Sequence, residues 1–333
     1  MRLSALAAAG MLGLGASPGA ARGDPAAPAL SFPLACEIGR SCEIQHYFDR
    51  DPGPGVRDYR CGLRTYQGHD GLDIRLLNMP EQRAGIAVLA AAAGRVTGLR
   101  DGQPDISIRS PGAPSVVGKE CGNGVVVDHG GAWVTQYCHL ARSSVSVKVG
   151  DAVAAGQPLG RVGLSGDTEF PHLHLTVRHG GRAVDPFAPG AGEVAPGGCT
   201  ARSPLWNATA LPQLTYKAGA VLNTGFTTAA VENAAIEAGG LPAAGPTAPM
   251  LIAYVRLIEL AAGDQVELIL TGPDGRVLAQ SRLTPLTSQM AQYTAYLGAR
   301  RTAPTWPRGA YVAQVWVHRG GAVALSRPFQ VIF

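Results

Sequence analysis

Residues 172–177 read His-Leu-His-Leu-Thr-Val, a strict alternation of polar and apolar side chains. A helix with 3.6 residues per turn cannot keep such a pattern on one face, whereas a strand sends every second side chain the same way. The segment predicts a strand with Leu173, Leu175 and Val177 in a core and His172, His174 and Thr176 on a polar face. Residues 125–128 and 133–137 predict a hairpin closed by His129-Gly130-Gly131-Ala132, and residues 144–149 alternate like a half-buried strand. Residues 265–270, 276–280 and 310–317 read as further strands, and residues 327–333 as an edge or closing strand. Gly272-Pro273-Asp274-Gly275 marks a turn between the first two of these. Glycine and proline, 44 and 25 of 333 residues, cut the chain into pieces too short for long helices, so the fold class is mostly β.

That length allows about two domains. Charged residues make up 16%, below the usual figure of about 25%, which argues against a polyelectrolyte or disordered chain. The net charge of +4 is spread out with no Lys/Arg block, so no nucleic-acid partner is expected.

The first residues are a short positive start, an apolar run rich in Ala, Leu and Gly, and small residues at Gly19-Ala20-Ala21. This predicts a secretory signal peptide over residues 1–21 and no stable membrane insertion. Six cysteines, all before residue 200, suit an oxidising compartment. The hairpin brings Cys121 and Cys138 together, and Cys36 with Cys42 is the next pairing to expect. The remaining organisation is read as a flexible lead over residues 22–35, a first domain over 36–189, a linker over 190–204 and a β-sandwich of immunoglobulin-like type over 205–333.

Four of the eight histidines fall in suggestive places. His69 and Asp73 form H-x-x-x-D, which Gly68 and Gly71 place in a loop entering a strand. His172 and His174 share a strand face, and His139 ends the strand that carries Cys138. Two imidazoles and one carboxylate would leave a fourth tetrahedral position open, which is how catalytic zinc sites are built. Asp70 is either an outer partner of a ligand or an exposed turn residue. His46, His129, His179 and His318 are read as ordinary structural or solvated histidines, and no H-E-x-x-H occurs.

From about His69 to Phe187 the sequence resembles the LytM/lysostaphin-like zinc metallopeptidases of bacterial cell walls. The resemblance rests on His69-Asp70-Gly71-Leu72-Asp73, residues 90–96 and 122–130, Tyr137-Cys138-His139-Leu140, residues 147–157, Gly163-Leu164-Ser165-Gly166, residues 171–175 and Val184-Asp185-Pro186. It implies a mostly antiparallel β catalytic domain with the site in a groove. It also implies one zinc ion per chain held by His69, Asp73 and His174, with His139 and His172 as the unliganded catalytic histidines. A tyrosine often assists such sites, but the spacing of Tyr59 and Tyr66 singles out neither. Residues 74–89 and the stretch between Val96 and Cys121 are longer than the family pattern and are expected to reshape or cover the groove.

The function expected is an exported, periplasmic or secreted, zinc metalloendopeptidase hydrolysing peptide cross-links between peptidoglycan peptide stems, of the D,D type. The alternative is a non-catalytic LytM-like regulator of cell-wall amidases, and the five filled site positions favour the enzyme. For the C-terminal domain, a protein partner, glycan binding, gating of the groove and plain support all remain open.

Overall fold

A computed structural model describes residues 26–189, 199 and 203–333. The expected signal peptide, and most of the expected linker, lie outside the described residues.

The first unit is built on one antiparallel sheet. Its strands are β1 (Cys42–His46), β2 (Leu72–Leu76), β3 (Ala87–Leu89), β4 (Gly94–Arg100), β5 (Asn123–Gly130), β6 (Trp133–Leu140), β7 (Ala152–Val153), β8 (Pro158–Arg161), β9 (His172–His179) and β10 (Arg182–Val184). The sheet order is β1-β2-β9-β6-β5-β4-β7, with β10 on β9 and with β3 and β8 paired apart. Leu72, Ile74, Leu173, Leu175, Val125, Val127 and Tyr137 are almost completely buried and form its core. Burial of each large apolar side chain is worth about 1.5–3 kcal/mol.

The second unit comprises β11 (Ala220–Thr227), β12 (Met250–Leu260), β13 (Gln265–Thr271), β14 (Val277–Arg282), β15 (Met290–Arg300), β16 (Ala310–Arg319) and β17 (Ala322–Ile332). A three-stranded sheet, β11-β12-β15, faces a four-stranded sheet, β14-β13-β16-β17. Alternate residues Val266, Leu268 and Leu270 on β13 and Tyr311, Ala313, Val315 and Val317 on β16 fill the core between them. Two short helices, α1 (Met79–Ala84) and α2 (Asn233–Ala238), meet where the units join.

Three expectations are corrected. The lead over residues 22–35 is packed from Leu30 onward: Leu30 and Leu34 are buried, Leu30 bridges Trp206 and Leu34 bridges Val88. Residues 205–214, assigned to the sandwich, instead complete the first core through Leu205, Trp206, Ala210 and Leu214, because these apolar side chains find their cover there. Residues 144–149 form no strand. Val145 and Val147 do turn inward, but the segment makes single bonds, such as Ser146 N–H to Leu159 O at 2.9 Å, rather than a ladder.

The disulfides Cys121–Cys138, which the hairpin suggested, and Cys36–Cys42, the next pairing expected, both form, and Cys61–Cys199 takes the remaining pair. The longer stretch 74–89 supplies α1, which docks against the second unit, and Arg75, which walls the groove. The Arg256 guanidinium bonds Leu77 O, and Pro80 packs over Gly239, where a Cβ would lie 2.3 Å from the proline ring.

Candidate metal centre and cleft

Register brings the site together. Asp73 on β2 lies opposite His174 on β9, and Cys138 on β6 lies opposite His174 on its other side. Residues paired across a sheet share a face, so Asp73, His174 and the end of β6 converge. Arg75 opposite His172 joins the same face, while Ile74, Leu173 and Leu175 point into the core.

His69, Asp73 and His174 each offer one ligand atom, and these atoms lie within 4.8 Å of one another. Asp73 Oδ1 is 3.2 Å from His69 Nε2 and 2.9 Å from His174 Nδ1. The two imidazole nitrogens are 3.2 Å apart. The outward nitrogen of each ring is held. His69 Nδ1 donates to Tyr47 O at 2.6 Å, and His174 Nε2 faces Asp70 at 3.1 Å and Thr176 at 3.0 Å. Such outer partners fix the ring orientation and, once the ring is neutral, leave the inner nitrogen to ligate. Asp70 is therefore a partner of His174, and its second oxygen meets Arg178 at 3.1 Å. Its hydrogen bond with His174 lowers its pKa.

His139 and His172 stand beside this trio, with ring centroids 4.5 Å apart. His139 Nδ1 donates to Ser165 O at 2.8 Å. His172 Nδ1 donates to Phe170 O at 3.0 Å and also meets Thr168 Oγ1 at 3.0 Å. His172 Nε2 is 3.5 Å from Asp73 Oδ1. Burial lowers the pKa of both rings, His172 to about 4 and His139 well below its usual value with the help of the neighbouring His172 and His174. Both are neutral at pH 7. His139 also adopts a left-handed backbone, φ 64°, which few non-glycine residues tolerate. Its N–H bonds Cys121 O at 2.8 Å, next to the Cys121–Cys138 disulfide.

Burial pushes the Asp73 carboxyl upward. The imidazoles of His69 and His172 and the bonds from His174 and His46 outweigh it and hold the group well below the usual carboxylate range. His174 is raised to about 9, since its bonds to Asp70 and Asp73 outweigh the opposing effect of burial.

One participant escaped the sequence reading. His46, taken as an ordinary histidine, sits opposite Asp73, with Nδ1 3.0 Å from Asp73 Oδ2. A register shift between Ile44 and His46 re-aims the ring, as bulges beside sites often do. Its Nε2 is 3.3 Å from Glu259 Oε1, a residue of β12 in the second unit. Burial opposes its charge, but the bonds to Asp73 and Glu259 prevail and raise its pKa to about 9. The available signal was the polar run Glu43, Gln45, His46 in a strand otherwise apolar at Ile44.

The centre opens on two clefts. One, of about 450 Å³, is walled by Arg75, Ile108, Phe170 and His172, and by Ala291 and Gln292 of the second unit. The other, of about 330 Å³, is walled by Asp70, Gln136, His174 and Arg178. Tyr66, His139 and Asp167 line both. Tyr66 packs 4.5 Å from the His69 ring at the cleft surface, whereas Tyr59 stacks on Phe187 in the core. A larger hollow of about 510 Å³ near Glu37 and Arg40 is shallow and holds no histidine or second carboxylate.

Residues 67–186, about a third of the chain, match peptidase family M23. Two curated relatives are similar over that region. The cell division protein DipM of Caulobacter vibrioides is 34% identical over 125 residues, 38% of this chain and 17% of that protein. The peptidoglycan DD-endopeptidase ShyA of Vibrio cholerae is 42% identical over 64 residues, 19% of this chain and 14% of that protein. The match thus spans less than a fifth of either relative. Among solved structures, a zinc-containing peptidase from Vibrio cholerae is 23% identical with a TM-score of 0.32, covering 47% of this chain and 39% of that one. The catalytic domain of the prophage-encoded protein EnpA from Enterococcus faecalis is 22% identical with a TM-score of 0.32, covering 50% and 98%. At such scores the family assignment rests on the sequence matches.

Proposed function

We propose that the chain is a zinc metalloendopeptidase that hydrolyses peptide cross-links of peptidoglycan, of the D,D type. The observation that carries this reading is the trio of buried His69, buried Asp73 and half-buried His174, flanked by the imidazoles of His139 and His172. The donor set fits zinc: two imidazole nitrogens and one carboxylate, two of them with outer partners already in place. When bound, such an ion supplies Lewis acidity toward the scissile carbonyl and toward water.

The chain's own residues do the rest. His139 and His172 each spend Nδ1–H on a backbone carbonyl. Each therefore offers a lone pair at Nε2 that can take a proton from the attacking water and return it to the leaving amine. Tyr66 holds a protonated phenol between the two clefts, where it can donate to a substrate carbonyl. Clefts on both sides of the centre suit a chain that enters, is cut and leaves as two peptides. The similarity to a peptidoglycan DD-endopeptidase supports this substrate class.

Export also belongs to the proposal. Three disulfides suit an oxidising compartment such as the periplasm, and no described helix is long and apolar enough to cross a membrane.

The discriminating experiment offers the mature, disulfide-bonded protein two tasks: cleaving a purified cross-linked muropeptide dimer, and stimulating a cell-wall amidase on intact wall. Dimer cleavage with one zinc bound per chain supports the enzyme. Amidase stimulation without zinc or dimer cleavage supports the regulator instead.

A further inference from the structure

Asp73 divides its two oxygens. Oδ1 faces His69 and His174 at 3.2 and 2.9 Å, while Oδ2 faces His46 Nδ1 at 3.0 Å. The other nitrogen of His46 faces Glu259 Oε1 at 3.3 Å. A continuous line thus runs from the second unit through one imidazole to the carboxylate of the trio. Neither His46 nor Glu259 lies within the residues that match the peptidase family, 67–186.

Glu259 is placed with care. It is 4% exposed, the last residue but one of β12, and its backbone is left-handed at φ 55°. Strain of this kind costs about 1–3 kcal/mol and persists where the surroundings hold it. The left-handed turn frees the side chain from the in-and-out alternation of β12, in which Leu257, Ile258 and Leu260 are all buried. The carboxylate is then gripped by Gln45 Nε2 at 2.8 Å and by Gln289 Nε2 at 3.3 Å. Gln45 in turn accepts from Arg75, which pairs with Glu237 at 2.9 Å, so the join between the units is a buried polar network beside the site.

We infer that His46 and Glu259 are positioning residues of the metal centre, and that the second β unit, through Glu259 and His46, sets the orientation of Asp73. This rests on the zinc reading given above. Without His46, Asp73 Oδ2 loses its partner and the carboxylate is free to rotate away from the trio. Without the Glu259 charge, the far side of the His46 ring loses its anchor.

The test is the zinc affinity of the metal-free full chain, measured by competition with a chromophoric chelator, with the unfolding midpoint of each metal-free variant as a folding check. His46→Ala should weaken zinc binding by about ten- to a hundredfold, the usual effect of losing an outer partner. Glu259→Gln keeps the shape and should weaken binding by a smaller factor, about three- to tenfold, on the same grounds. In the His46→Ala background, Glu259→Gln should have no further effect. Glu267→Gln, which disturbs a similar Glu–His pair (2.9 Å, with His318) inside the second unit, should leave zinc affinity unchanged. The inference is overturned if folded Glu259→Gln binds zinc as tightly as the parent, or if its loss is undiminished without His46. A parent chain that takes up no zinc overturns the metal reading itself.

Discussion

Gly122→Ala tests how the fold holds His139. Two carbonyls fix that ring and its backbone, Cys121 O and Ser165 O, each at 2.8 Å. Gly122 lies between them with φ +63°, and a Cβ there would sit 2.3 Å from both the carbon and the oxygen of the Ser165 carbonyl. Those are backbone atoms and cannot rotate aside. An L-residue in a left-handed conformation costs about 1–2 kcal/mol, and forcing atoms into a filled site adds about 1–3 kcal/mol. The sum is about 2–5 kcal/mol. Gly118, at φ +70° in the same loop, has nothing within 4 Å, so Gly118→Ala carries only the first part. Urea unfolding followed by tryptophan fluorescence should therefore place Gly122→Ala about 1–3 kcal/mol below Gly118→Ala. Because the clash parts the two carbonyls, release of muropeptides should also fall by about ten- to a hundredfold, as misplacement near 1 Å does. Equal stabilities, or normal turnover by Gly122→Ala, would refute the steric argument.

Removing one imidazole, in His172→Ala, should lower turnover by about 10²–10⁴-fold while one zinc per chain is still retained, as elemental analysis would report. Zinc affinity should rise with pH. His174 is raised to about 9, so a zinc ion must displace its proton below that value, and affinity should climb about tenfold per pH unit until about pH 9. An affinity that is flat between about pH 6 and 8 would contradict that protonation state. Leu30 is fully buried, so Leu30→Ala should cost about 2–5 kcal/mol of unfolding free energy. A change under about 0.5 kcal/mol would mean that the segment before Cys36 adds nothing to the core.

The residues that announce this site are those whose pattern is local. The alternation of 172–177 gave away β9, and with it two imidazoles on one face. The hairpin 125–137 placed Cys121 beside Cys138 and His139 at the strand end, and glycines put His69 in the loop before β2. What sequence alone hid depends on distant partners. His46 reaches Asp73 through a register shift that no spacing reveals, and Glu259 meets it from 213 residues further along the chain. Leu30 and Trp206 bury each other across a similar distance, so a Pro/Ala-rich lead looked unstructured. Residues 144–149 alternate correctly, but their neighbours offer isolated bonds instead of a ladder.

The central claim is that this centre cuts cross-links with a metal. The most direct measurement is mass spectrometry of muropeptides released from purified sacculi by the full mature protein. It would be run untreated, after chelation, after zinc is restored, and with Asp73→Ala. The account predicts loss of cross-linked dimers in the untreated and zinc-restored samples, and intact dimers after chelation and with Asp73→Ala. Dimers cut equally well by Asp73→Ala, or left intact by a zinc-loaded parent chain, would contradict it.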